Sequence, residues 1–255
     1  MNPPPTNQGL VGPGRPAHAS VRAWLIGGFA TVAIAGLLLI PGQWQAGRAS
    51  YKSERLAVYA ERAAAAPIAL SQIEPSGDNL FRRVQVAGRY VEPTRLLLDN
   101  QMRGGQSGLL VFQALALGDR QIIVERGWIA RDRESRAQLP AFTTPSEAVQ
   151  LTGALTPPPA SGLALGPSMQ AFGRDWLVTR IGAAELAVLG PNDTGDMVLK
   201  IDPAQPGALA VERQPALGMA PDRHSAYAFQ FRALAAGLAG VYLVLLFRRL
   251  SPRFQ

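Results

Sequence analysis

The sequence predicts a membrane α+β protein, in which two transmembrane helices flank a mainly antiparallel β domain, a small barrel or sandwich. Three observations predict it. Two long apolar runs stand near the two ends of the chain, residues 24–40 (WLIGGFATVAIAGLLLI) and 226–247 (AYAFQFRALAAGLAGVYLVLLF). All 18 acidic residues fall between those runs, from Glu54 to Asp222. The sequence between them breaks into short apolar stretches punctuated by Gly and Pro, which is how strands and turns read.

The first run carries no charge, and with Val21 and Ala23 it approaches the length that crosses a hydrocarbon core of about 30 Å at about 1.5 Å per residue. A cleaved leader would have a shorter core followed by small residues. Pro41, Gly42, Gln43, Trp44 and Gln45 offer no such cleavage pattern, so the run reads as an uncleaved anchor. The second run is free of charge only over residues 233–247. Arg232 sits where a long side chain can reach back to the headgroups, and Arg248 and Arg249 end the run abruptly. A buried C-terminal helix is the competing reading. Trp24 suits one membrane interface, Trp44 and Tyr227 the other.

Charge sets the expected orientation. Arg15, Arg22, Arg248, Arg249 and Arg253 lie at the outer ends of the two runs with no acid beside them. The rest of the chain is close to neutral, with 20 basic and 18 acidic residues. Positive flanks stay cytoplasmic, which puts both termini inside a bacterial inner membrane. Arg48, Lys52 and Arg55 oppose that rule. The expected organisation is a disordered cytoplasmic tail over 1–20, a span over 21–41, a periplasmic domain over 42–225, a second span over 226–247 and a tail over 248–255. A nucleic-acid binder would concentrate its positive charge on the folded domain, so the net charge of +7 does not argue for one. With no cysteine and only His18 and His224, neither a thiol nucleophile nor a conventional zinc site is expected. There is no Walker or strand-flanked G-x-G-x-x-G pattern, and His224 with its sequence neighbours Asp222 and Ser225 makes no triad. The chain reads as a non-enzyme.

Between the spans, residues 45–66 read as a helix stopped by Pro67. Strands are expected over 81–91, 108–117, 121–130, 149–155, 176–181 and 197–201, with a short helix over 183–189. Gly118-Asp119 marks a hairpin, and Pro157 to Pro167 a loop. The loop from Arg103 to Gly108 is either a strand connection or a cradle of backbone amides for an anion. The segment Glu125-Arg126-Gly127-Trp128 is either an edge or turn with a half-buried Trp or a docking surface. His224 is either a polar residue at a helix start or, as an imidazole beside the membrane, a ligand for haem iron.

Four separated motifs resemble the Surfeit locus protein one family, the assembly factors of haem-copper cytochrome c oxidase. The first is Gly42, Trp44, Gln45 and Arg48, followed by Tyr51-Lys52. The second is Arg82, Arg83, Val84, Val86, Gly88 and Tyr90. The third is Val124, Arg126, Gly127 and Trp128, and the fourth His224, Tyr227, Ala228, Gln230 and Phe231. Tyr51, Glu125 and Phe231 stand where the family usually has Trp, Asn and Trp. The resemblance implies assistance in building oxidase subunit one, around the step where haem a enters it. It also implies other oxidase assembly factors as partners, besides the membrane lipid. Carried over, it makes His224 the axial ligand of haem a, with Arg48, Lys52 or Arg232 meeting the propionates; anchoring to lipid headgroups is the alternative for those three bases. A structural partner of oxidase subunits that binds no haem is the rival reading. A membrane sensor is a second, for which tails this short leave no output module.

Overall fold

The structure, a computed structural model, describes residues 20–74, 78–131, 138–159, 168–212 and 218–251. The tail expected over 1–20, apart from Ser20, and the loop at 160–167 lie outside the described residues. The chain divides into two units, one of residues up to Lys52 and from Met219 onward, the other Ser53–Gly218.

The first unit is a pair of helices, α1 (Val21–Ala64, which continues into the second unit) and α3 (Pro221–Leu250). Both are long and apolar enough to cross a membrane. Burial decides against the soluble-core alternative: none of the most apolar stretch of α1 is buried, and only 6% of that of α3. Leu25, Phe29, Phe229 and Leu250 are 69–78% exposed, a surface that water disfavours and lipid accepts. The protein is therefore a membrane protein. The α3 helix begins with Pro221 in its first turn, where a missing N–H costs nothing, and its ends carry Asp222 and Arg248-Arg249 in the senses that suit the helix dipole. The α1 helix runs straight through Pro41, the residue at which the first span was expected to end.

Apart from Lys52 and His224, what the two helices bury is small. Gly42 and Ala49 on α1 and Ala228 and Ala235 on α3 are buried. A Cβ at Gly42 would stand 3.2 Å from the Cβ of Phe231 and 3.6 Å from the carbonyl oxygen of Ala228. Small residues let backbones approach, and without a hydrophobic drive in lipid that close contact is what associates helices. Farther along, the Tyr242 hydroxyl donates to the Trp24 carbonyl at 2.8 Å.

The second unit is built on β1 (Ile68–Ala69), β2 (Arg83–Arg103), β3 (Gln106–Leu117), β4 (Arg120–Ala130), β5 (Val149–Thr156), β6 (Met169–Phe172), β7 (Asp175–Val178) and β8 (Val198–Ile201), with a short helix α2 (Ala183–Leu186) before β8. Pairing β2 to β3, β3 to β4, β4 to β8, β8 to β5 and β5 back to β2 closes a five-stranded ring. The β6–β7 hairpin extends from the far half of β2. The barrel expectation holds. The strand directions are mixed, because β8 lies parallel to β4 and β7 parallel to β2. Gly118-Asp119 is the β3–β4 turn, as its sequence predicts. Gly104-Gly105 is likewise a two-residue turn joining β2 to β3, the strand-connection reading of that loop.

Along β3, Leu115, Gln113, Val111 and Leu109 share one face, and Ala114 and Phe112 the other. The second face packs with Leu96, Ile123, Val178 and Leu186 under α2. The first face joins two apolar clusters, one around Val84, Leu115, Val124 and Leu199 and one around Leu97, Leu109, Val111 and Leu177. Gln113 stands between them, and so does a fully buried arginine. Opposite Val111 stands Gly127 and opposite Phe112 stands Glu125, so Arg126 has no partner on β3. This one-residue bulge turns its side chain inward.

Among the described residues no carboxylate pairs with Arg126. Its guanidinium donates to Gly207 O (2.8 Å), Gln113 Oε1 (2.7 Å), Thr144 Oγ1 (2.8 Å) and Thr143 O (2.7 Å). It also lies 4.9 Å from the Tyr90 ring centroid and 5.2 Å from that of Phe142. Burial lowers the arginine from its ordinary value and pushes the Tyr90 phenol up to about 12. Gly127, at φ +111°, admits the segment after Gly207; a Cβ there would stand 2.8 Å from the Ala210 carbonyl.

Candidate functional site

Three of the residues singled out from the sequence converge in the membrane unit, and they do so because of helical spacing. Gln45 and Lys52 are seven apart on α1 and so share a face, while His224 occupies the first turn of α3. Lys52 and His224 are both buried, at 6% exposure each. The Lys52 ammonium donates to the Met219 carbonyl at 2.6 Å and lies 2.9 Å from His224 Nε2. On the other side of the ring, Nδ1 lies 2.5 Å from Gln45 Oε1.

These contacts fix the tautomer. An ammonium has three protons to give and no lone pair, so Nε2 is the acceptor. The ring proton then resides on Nδ1 and is donated to Gln45. His224 is neutral, hydrogen-bonded at both nitrogens, and the Trp44 ring meets it edge-on at 6.4 Å between centroids. A buried lysine is costly unless its protons are accepted; here a carbonyl and an imidazole do so.

The other residues read from the sequence do not join this chain of hydrogen bonds. Arg48 is exposed, its guanidinium 5.4 Å from the Tyr51 ring centroid. Arg232 donates to Gln43 Oε1 at 3.2 Å. Gly42 provides the close helix approach described above. Tyr227 and Gln230 are exposed on α3, and Trp44 is 60% exposed. Arg126 and Gly127 belong to the barrel interior and its bulge. Trp128, half-buried, donates its indole N–H to Gln101 O at 2.8 Å and has the Arg103 guanidinium at 5.4 Å. The third motif is thus occupied with holding the barrel. The sequence reading missed the pairing of Lys52 with His224, for which it offered a propionate, and the role of Gln45 as the acceptor that fixes the ring. The i, i+7 spacing of Gln45 and Lys52 was the available signal.

Iron coordination requires an unshared pair on a ring nitrogen. In this arrangement Nε2 has given its pair to Lys52 and Nδ1 carries the proton, so the residues present do not fit an axial ligand set as they stand. Among the described residues no group of three or more His, Asp or Glu could hold a metal ion.

No curated protein matches the chain. A protein-family model, that of the SURF1 family, matches residues 32–236, which takes in all four motifs and most of both long helices. By that match, over most of its length, the chain belongs to the SURF1 family.

Proposed function

We propose that this chain, an assembly factor by family and not an enzyme, serves subunit one of a haem-copper cytochrome c oxidase around the step at which haem a enters it. What carries the reading is the joining of two family motifs into one buried cluster: Gln45 and Lys52 from the first meet His224 from the fourth. No haem-transfer step is assigned to His224 while Lys52 holds its lone pair. That contact favours a second reading, a partner that steadies oxidase subunits and binds no haem. Deleting the gene should lower assembled, haem-containing oxidase and leave subunit transcripts unchanged; normal oxidase would end the family-level proposal. The protein purified from cells making haem a should show haem absorption bands under the first reading and none under the second.

The orientation proposed from the arginine flanks has its own test. The chain lacks cysteine, so single replacements report cleanly. A cysteine at Ser107 should react with a membrane-impermeant thiol reagent in intact spheroplasts, and cysteines at Ser20 and Ser251 only after lysis. Labelling of the terminal positions in intact cells would invert the topology.

A further inference from the structure

We propose that Lys52 is a cap on His224, holding the imidazole in its Nδ1–H form with Nε2 withheld from any metal or electrophile, so that the resting protein uses His224 to pin α1 to α3. The inference deepens the family reading but does not depend on haem being bound.

Geometry makes the case. The two helices are brought together at this level by Gly42 and Ala228, and directly beside that contact the polar groups form a short chain. It runs from the Met219 carbonyl to the Lys52 ammonium (2.6 Å), from there to His224 Nε2 (2.9 Å), and from Nδ1 to Gln45 Oε1 (2.5 Å). The ammonium finds two acceptors and each ring nitrogen one partner. An imidazole built as an open ligand donates one ring N–H to a supporting acceptor and leaves the other nitrogen facing a cavity. Gln45 supplies the supporting acceptor here, and the position a metal would take is filled by the Lys52 ammonium. Coordination at Nε2 and the Lys52 contact exclude each other, because the nitrogen has a single lone pair. For a metal centre to use His224, Lys52 must first leave, and replacing Lys52 by an apolar residue opens the nitrogen permanently.

The chain has two histidines, so peptide mass spectrometry after diethyl pyrocarbonate treatment of the full-length protein reports each one. In the wild type, His224 should carbethoxylate far more slowly than the same residue in Lys52→Leu, by about tenfold or more, the scale on which losing a charge-assisted hydrogen bond acts. Adding ferric haemin should give a His224-dependent spectrum in Lys52→Leu, which brings no thioether ligand of its own and which Lys52→Leu/His224→Ala loses. The wild type should give none. Equal reactivity of His224 in the wild type and Lys52→Leu overturns the cap, as does equal His224-dependent haemin ligation. Should Lys52→Leu fail to accumulate, ¹⁵N-histidine NMR of the wild type decides: the proton of His224 should sit on Nδ1, and a protonated Nε2 overturns the proposal. Oxidase assembly is scored separately in the same strains. A cap that holds with normal oxidase in the deletion would sink the assembly role alone, and a lost oxidase with an uncapped His224 would sink the cap alone.

Discussion

Arg126→Leu should lower the stability of the barrel by about 3–5 kcal/mol, because one substitution strands several buried acceptors together. Gln113 Oε1, Thr143 O and Gly207 O each lose a donor at 2.7–2.8 Å. The leucine also leaves the face of Tyr90 without the Arg126 cation, while Phe142 keeps the Arg95 guanidinium at 4.5 Å. Arg126→Lys should recover part of the loss, since a point charge on a flexible stem cannot serve the same acceptors as a planar fork. Urea unfolding of the purified chain, followed through tryptophan emission, measures both. A change in Arg126→Leu of less than about 1 kcal/mol, the net worth of one ordinary hydrogen bond, would show that the cluster does not hold the barrel.

A second large effect is expected in the membrane unit, from two glycines on the same helix. A Cβ at Gly42 meets Phe231 at 3.2 Å, whereas a Cβ at Gly47 meets nothing within 4 Å. Gly42→Leu should therefore force α1 and α3 apart at the level of Gln45, with an overpacking cost of about 1–3 kcal/mol or more. Gly47→Leu should be close to neutral. Denaturation in mild detergent followed by the emission of Trp44, with oxidase assembly as the cellular readout, separates the two. Equal behaviour of the two variants would mean that the helices do not touch where Gly42 stands.

The two membrane helices, the β3–β4 hairpin and the short helix before β8 were legible because each announces itself locally, by an apolar run or a two-residue turn. The far half of β2 was not. Pro93 breaks the alternation after Val91, and Leu96-Leu97-Leu98 then follows with all three residues buried, so no period of two survives. The two-residue β1 and the four-residue β6 are too short to show a pattern. The buried role of Arg126 was not legible because its partners come from loops 17, 18 and 81 residues away and from a residue on the neighbouring strand. The same holds for the candidate site. His224 was singled out from the sequence, but its partner Lys52 is 172 residues away and only the packing of α1 on α3 brings them together. Sequence spacing finds faces of helices and strands; it does not say which faces meet.

The bulge in β4 carries an implication for how length and register are separated in this barrel. Deleting Arg126 outright would leave Glu125 still opposite Phe112 and Gly127 still opposite Val111, a regular β3–β4 ladder, with the Leu209 N–H losing the Arg126 carbonyl on the other side. In alignment terms Arg126 occupies an inserted column: the strand is spelled one letter longer than its hairpin requires, and the surplus letter is the one that points inward. The chain thereby places a charged group inside an apolar barrel while the β3–β4 rungs on either side keep their partners.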